Sequence, residues 1–333
     1  MKKIINDPNA FVDEALDGIL AAHPMMLKAV SADRRAIARA DAPIKGHVGI
    51  VTGGGSGHLP LFLGYVGVGL CTAVAVGNVF SSPSVEQILA ATRAAQGGAG
   101  VLYLYGNSGG DVMNFDLAGE LAAGEIETDT VVGIDDVASA PPERSSDRRG
   151  VAGLFFAYKC AGAAAERGLP LAGVAAAARS AVANTRSMGV GLSPTILPAA
   201  GKPTFELGDN EMELGVGIHG EPGRERLPLA PAKEIAAMLV EPILADLPFS
   251  SGDGVVAFVN GLGGTPLIEL YVMYNEVNRI LAAHGVQIAR SLVGSYITSL
   301  DMAGSSVTLL KVDDELLSLW DAPVRTPALR WGI

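Results

Sequence analysis

Thiols are scarce in this chain of 333 residues: Cys71 and Cys160 are the two cysteines, with no CxxC pair and no cysteine–histidine group at zinc spacing. A disulfide framework and a zinc ribbon are therefore excluded, and the expectation is a reducing cytosol with both thiols in the core. Positive charge is short too: the net charge is -11, which argues against a nucleic-acid or anionic-membrane binder. No apolar run reaches the roughly 20 residues of a membrane-crossing helix. The start, Met1-Lys2-Lys3-Ile4-Ile5-Asn6-Asp7, has no long apolar stretch behind its lysines, so it does not read as a signal peptide, and a cytoplasmic location is expected. Also missing is a Walker A loop: the cluster Gly53-Gly54-Gly55-Ser56-Gly57 is followed by His58-Leu59-Pro60 rather than by lysine and a hydroxyl residue, and it is no clean dinucleotide fingerprint. No repeat of solenoid period is visible.

What is abundant is apolar and small. Hydrophobic residues make up 49%, charged residues 18%, aromatics 5%, and there are 42 glycines. That balance suits buried, mostly parallel strands under helices, with tight loops, in one large or two medium domains. The periodicity predicts a helix over 11–22, with Val12, Leu16, Ile19 and Leu20 on one face. Short apolar strands are expected at 47–51, 70–76, 100–105 and 130–134, and helices at 84–95 and, alanine-rich, over 150–188 with a break at Gly168-Leu169-Pro170. The arginine-rich run 143–149 reads as solvated surface. The pattern changes near residue 190, where a boundary between domains 1–190 and 191–333 is expected. Beyond it come a β-leaning segment at 190–197, helices at 232–247 and 267–284, strands at 254–260, 286–290 and 307–312, and a docked tail from Leu316.

Three successive strands end in glycine-rich polar loops. The first carries His58, the second Ser81 and Ser82, the third Asp111. Taken singly, each has a plain structural role open to it: a phosphate-cradling loop, serines capping a helix, an aspartate as N-cap. Taken together they describe a cleft along one edge of a parallel sheet, outside the carboxyl ends of its strands, where open α/β sheets bind ligands. A fourth stretch, Gly215-Val216-Gly217-Ile218-His219-Gly220-Glu221-Pro222-Gly223, leads through alternating glycines to one imidazole, and Pro-Gly stops any regular element. Glycines on both sides of His219 leave a small ligand room to approach the ring.

These loops together resemble the ketose-binding subunit of dihydroxyacetone kinase. The resemblance rests on Gly53-Gly54-Gly55-Ser56-Gly57-His58, Asn78-Val79-Phe80-Ser81-Ser82-Pro83, Gly109-Gly110-Asp111-Val112-Met113-Asn114-Phe115 and the His219 stretch. Ser299-Leu300-Asp301-Met302 and Trp320-Asp321-Ala322-Pro323-Val324-Arg325-Thr326-Pro327 add to it, so that it spans Lys2 to Trp331. It implies two α/β domains, each a mostly parallel or mixed sheet flanked by helices, and a homodimer. It implies a short-chain ketose held covalently on His219 as a hemiaminal, with His58 and Asp111 as the acid/base pair on the reacting hydroxyl and Gly55 and Ser82 in the pocket wall. It implies no cofactor on this chain: ATP-Mg, or a phosphotransferase-system donor, belongs to a separate helical nucleotide-binding subunit of the DhaL type. Two positions depart from the family's pattern. Leu59 stands where a glutamate is common, and Gly106-Asn107-Ser108-Gly109-Gly110 lacks the usual lysine and a bulkier residue. The lost charge and volume point to a larger ketose, such as erythrulose or apulose. A ketose-sensing coactivator is the reading from a different class; it would need His219 but not the proton-transfer pair.

Overall fold

The structure is a computed structural model and describes residues 2–332. The chain forms two compact units, and it passes between them more than once. The first unit comprises Lys2–Gly133, Phe155–Ala181 and the chain from Leu316 on; the second comprises Ile134–Leu154 and Val182–Glu315. A single division near residue 190 does not describe this arrangement. Residues 134–154 pack with the later half of the chain, while 155–181 and the tail return to the earlier half.

In the first unit β1 (Leu27–Ala29), β2 (Ala36–Arg39), β3 (Gly49–Ser56), β4 (Ala73–Val79), β5 (Val101–Gly106) and β6 (Thr128–Gly133) make one sheet in the order β1-β2-β4-β3-β5-β6. The four strands β4-β3-β5-β6 run parallel, whereas β1 and β2 are antiparallel additions at the edge. Helices α1 (Phe11–Ala22), α2 (Val85–Ala95) and α3 (Gly109–Ala122) belong to it, as do α4 (Leu154–Glu166) and α5 (Leu171–Ala183) but for their outermost residues. Ile88 and Ala91 of α2 and Phe115 and Ala118 of α3 are buried together with Val51, Val101 and Tyr103 of the sheet. Parallel strands need such a covering layer because both of their faces are apolar. Cys71 and Cys160 are both buried thiols outside any disulfide among the described residues. The tail is docked as expected: Trp320 packs edge-on against Phe156 of α4 at 5.3 Å, and the amide of Arg325 donates to the carbonyl of Val68 at 3.0 Å.

In the second unit β7 (Thr185–Gly191), β8 (Glu211–Leu214), β9 (Glu225–Pro228), β10 (Gly254–Gly261), β11 (Gln287–Gly294) and β12 (Gly304–Val312) form a mixed sheet in the order β11-β10-β12-β7-β8-β9. Only β10 and β11 pair in parallel, through the crossover helix α7 (Leu267–Ala283); the other neighbours are antiparallel. Leu239 and Ile243 of α6 (Ala232–Asp246) and Leu270 and Val277 of α7 are buried with Val255, Val307 and Leu309.

Two local expectations are overturned. The alanine-rich helical pattern ends at Ala183, and Thr185–Met188 is strand: Thr185 pairs with Leu310 and Met188 with Val307. Pairing in the sheet overrides the local preference there. The run 143–149 is also not uniformly surface. Arg148 is 1% exposed and donates to the carbonyl of Ala140 at 2.8 Å and to the Asp246 carboxylate at 2.8 Å.

Candidate functional site

Strands β4, β3 and β5 are adjacent and parallel, so the loops that follow them emerge at one edge of the sheet. Strand β3 runs on through the glycine cluster to Ser56, and the reason is space. A side chain at Gly53 would meet the carbonyl of Ala75 at 2.7 Å, one at Gly54 the ring of Phe62 at 2.4 Å, and one at Gly55 the amide of Ser81 at 2.6 Å. Only glycines let this strand end lie against its parallel neighbour and against the loop after β4.

His58 follows at once and is 1% exposed. Its ring stacks on Phe80 at 5.0 Å and meets the edge of Phe62 at 6.0 Å. Both phenylalanines have left-handed backbones, with φ of 67° at Phe62 and 54° at Phe80. Such a conformation costs a bulky residue on the order of 1–3 kcal/mol and persists where the surroundings over-determine it. Sequence reasoning missed this aromatic clamp, because neither phenylalanine carries a motif that announces a strained turn.

The serines divide their labour. Ser84 caps α2: its hydroxyl accepts from the amide of Gln87, and the Gln87 side chain accepts from the amide of Ser84. Ser81 and Ser82 are thereby freed from the capping that the sequence left open to them. Ser82 instead turns its hydroxyl to Gly110 at the start of α3, beside Asp111, whose charged form it favours. Asn114 of α3 binds the same loop, donating to the carbonyl of Pro83 at 2.7 Å. Asp111 is not the N-cap of α3 either: Ser108 holds that position, and Asp111 stands in the first turn. A Cβ at Gly110 would come within 2.6 Å of the Ser82 hydroxyl, so Ser82 excludes bulk immediately before Asp111. At Gly109 a Cβ would meet open space.

Asp111 is 5% exposed, and its Oδ1 has no hydrogen-bond partner among the described residues. Burial pushes its pKa up to about 6, and the Ser82 hydroxyl restrains the rise. A carboxyl that titrates near neutral pH is suited to take and return a proton. Tyr105, stacked on Phe115 at 4.2 Å, has a buried hydroxyl without a partner among the described residues, and burial and the acids Asp116 and Asp111 raise its pKa. The structure thus brings Gly55, His58, Ser82 and Asp111 onto converging loops of one unit.

His219 belongs to the second unit, in the excursion between β8 and β9. Those strands pair Leu214 with Glu225, so the stretch is the loop of a hairpin rather than a turn after a lone strand. The glycines flanking His219 are required by packing. A Cβ at Gly217 would lie 2.2 Å from Oε1 of Glu221 and 2.9 Å from Nη1 of Arg149. Gly220, with φ of 77°, lies against Thr195 and Thr204. Arg149 joins Glu221 at 2.6 Å and Asp136 at 2.7 Å, and donates to the carbonyl of Gly215 at 3.0 Å. Burial lowers the pKa of the half-buried His219 imidazole; Glu221 opposes this and Arg149 reinforces it. The ring is therefore neutral at pH 7, the state in which a nitrogen lone pair is available. Among the described residues no group of three or more His, Cys, Asp or Glu side chains is placed to hold a metal, and no helix is long and apolar enough to cross a membrane.

Comparison with known proteins agrees with this picture. The Dak1 domain matches residues 17–328. The dihydroxyacetone-binding subunit DhaK of a phosphotransferase-dependent dihydroxyacetone kinase from Listeria innocua is 45% identical over 328 residues, 98% of each chain. A D-erythrulose kinase from Mycolicibacterium smegmatis is 44% identical over all of this chain, which spans 57% of that protein. Among solved structures, the dihydroxyacetone kinase operon co-activator Dha-DhaQ superposes with a TM-score of 0.87 at 31% identity, covering 95% of this chain and 96% of that one. The dihydroxyacetone kinase of C. freundii in complex with AMP-PNP and Mg2+ gives 0.87 at 32% identity, covering 99% of this chain and 61% of that one. With a domain match of this extent and full-length relatives of this identity, the chain belongs to the Dak1-domain family of dihydroxyacetone-kinase ketose-binding subunits.

Proposed function

We propose that this chain is the substrate-binding subunit of a short-chain ketose kinase, that it holds the ketose covalently on His219, and that a helical partner of the DhaL type supplies the phosphoryl donor. The observation that carries the reading is Asp111: a buried carboxyl beside the Ser82 hydroxyl, its Oδ1 without a partner among the described residues, with a pKa pushed up to about 6. A binding protein gains nothing from such a group, whereas a kinase needs a base for the attacking hydroxyl.

In the first step the lone pair of a neutral His219 ring nitrogen adds to the ketone carbon. The N–C bond forms, the carbonyl π pair moves to oxygen, that oxygen takes a proton, and the other ring nitrogen gives its proton up. The product is a hemiaminal; the bonded nitrogen has no hydrogen left, so loss of water to a neutral imine is closed off. The adduct selects ketones over polyols such as glycerol and fixes the terminal hydroxyl, which lowers the entropic cost of transfer. In the second step Asp111 takes the hydroxyl proton, His58 orients or shares it, and the hydroxyl oxygen bonds to the phosphorus carried by the partner while the bond from phosphorus to its donor breaks, the electron pair staying on the dephosphorylated donor, which remains with the partner. Gly55 and Ser82 wall the pocket. ATP-Mg, or a phosphotransferase-system donor, enters with the partner and not on this chain.

Helix α3 gives that partner a surface beside the reacting end. Met113 (73% exposed), Leu117 and Leu121 form a stripe at helical spacing, with the acids Asp116 and Glu120 next to it and no basic residue on the helix. An apolar partner face rimmed by basic residues complements it. The exposed apolar start of α7, with Ile268 and Tyr271, is the face this reading gives to a second copy in a homodimer. The compartment is the cytoplasm.

A larger ketose, erythrulose or apulose, has a specific observation in its favour: Gly109 opens on empty space and Leu59 is exposed beside His58. The sensing coactivator is disfavoured by the Ser82–Asp111 pair, which sensing does not require. The test is native mass spectrometry of the purified protein with dihydroxyacetone, erythrulose, apulose and glycerol, beside His219→Ala. An adduct of whole-ligand mass with a ketose, absent with glycerol and in the variant, is expected. No adduct with any ketose would remove His219 from the mechanism.

A further inference from the structure

The loop that carries His219 is tied by one guanidinium. Arg149 reaches the limb before the histidine through the carbonyl of Gly215, at 3.0 Å, and the limb after it through Oε1 of Glu221, at 2.6 Å. Its Nε and Nη2 grip Asp136, which is 1% exposed. Its amide donates to the hydroxyl of Ser139 at 3.0 Å, which ties the segment before α4 back on itself. The absence of a side chain at Gly217 is what admits this pair, since a Cβ there would fall on both Glu221 and Arg149. The second carboxylate oxygen of Glu221 is buried without a hydrogen-bond partner among the described residues. An apolar loop-filling contact would have served for packing alone; a partly buried carboxylate with one buried oxygen unsatisfied costs stability and calls for another role.

We propose that Arg149, clamped between Asp136 and Glu221, is a positioning residue that closes the His219 loop and sets the charge state of the imidazole for addition to the ketone. The proposal rests on the reading of His219 as the ketose-binding nucleophile. Glu221 from its own loop and Arg149 from the segment before α4 both act on the ring; behind Arg149 stands Asp136, with Asp135 next to it. Glu221 alone would favour the imidazolium, whose nitrogens have no lone pair to add to a carbonyl. Arg149 offsets part of that field. Burial then leaves the ring neutral, and the rigid cross-link keeps its direction of attack fixed.

The test reads the ring itself as well as its chemistry. In ligand-free protein labelled with 15N-histidine, His219 is identified by its loss in His219→Ala and titrated by NMR. Glu221→Gln is expected to move its midpoint down. Arg149→Gln combined with Asp136→Asn, a pair that leaves no buried carboxylate without its cation at Asp136, is expected to move it up. Each displacement is about one pH unit, roughly tenfold in the ratio of neutral to charged ring. The pH profile of the ketose adduct, followed by native mass spectrometry, should shift in the same two directions. Arg149→Lys, which keeps the charge but not the fork, should hold the midpoint and still lower the adduct yield. Midpoints that stay put, or that move the same way in both variants, would overturn the proposal. If the midpoints diverge as stated but the parent protein forms no adduct at any pH, the electrostatic role stands and the ketose reading of His219 falls.

Discussion

Replacing Asp111 by asparagine should make the protein more stable and almost inactive. The reasoning starts from the raised pKa. The carboxyl titrates near 3.8 when unperturbed and at about 6 in the fold, because burial penalises its charged form. The folded state therefore binds the proton more tightly than the unfolded chain does. Stability tied to this group is fully present below the unfolded pKa and is lost as pH rises through the folded one. A shift of about two units at 1.36 kcal/mol each amounts to roughly 3 kcal/mol lost above pH 6. Asparagine keeps the shape, carries no charge and can still meet the Ser82 hydroxyl, so it escapes that loss. Urea denaturation at pH 4, 6 and 7.5 should find the two proteins equally stable at pH 4. The variant should lead by about 1–3 kcal/mol at pH 7.5, allowing for an amide whose second polar atom finds no partner. The raised carboxyls Asp135 and Asp136 are common to both proteins and cancel in the difference. Phosphoryl transfer should fall by about 10²–10⁴-fold, while the ketose adduct on His219 remains. A variant that is less stable at pH 7.5, or a gap that does not change with pH, would refute the claim that a buried carboxylate is maintained at the cost of stability. That trade is the expected signature of a group kept for chemistry.

Other expectations follow from single contacts. Ser82→Ala removes the hydrogen bond that restrains the Asp111 pKa, so the acid limb of the transfer rate against pH should move upward; an unmoved limb would separate Asp111 from the rate. Arg148→Leu removes one of the two guanidiniums that hold Asp246, with Arg186 remaining, and a destabilisation of about 1–3 kcal/mol is expected in urea. Leu117→Lys places a cation in the exposed stripe of α3; it should weaken transfer from the partner several-fold while leaving adduct formation untouched, and an equal loss of both would disconnect the stripe from the partner.

Much of the fold was legible from the chain because it is local. Helix α1 falls at 11–22 as its apolar spacing predicts, and the apolar runs that become β5 and β10 announce themselves by composition and by the glycines that close them. The motif loops were legible for the same reason: glycine, histidine and aspartate in short order at strand ends have few structural explanations in common. Where reading failed, the deciding contact was distant in sequence. Thr185–Met188 looks like the end of an alanine-rich helix until β12, more than a hundred residues on, claims it as a strand. Arg148 and Arg149 look like surface until Asp246 and Glu221 are brought to them. The glycines around His219 read as room for a ligand, and only the side chains packed against them show that packing requires them.

By itself, then, the sequence determined the class of the fold, the order of most elements and which loops carry the polar residues, since hydrophobic period, glycine and capping chemistry act over a few residues. Only the tertiary structure decided which serine caps and which binds Asp111, how far burial raises that carboxyl, and which charges face His219. Those properties depend on desolvation and on partners brought together across the chain, and neither has a signature in the local order of residues.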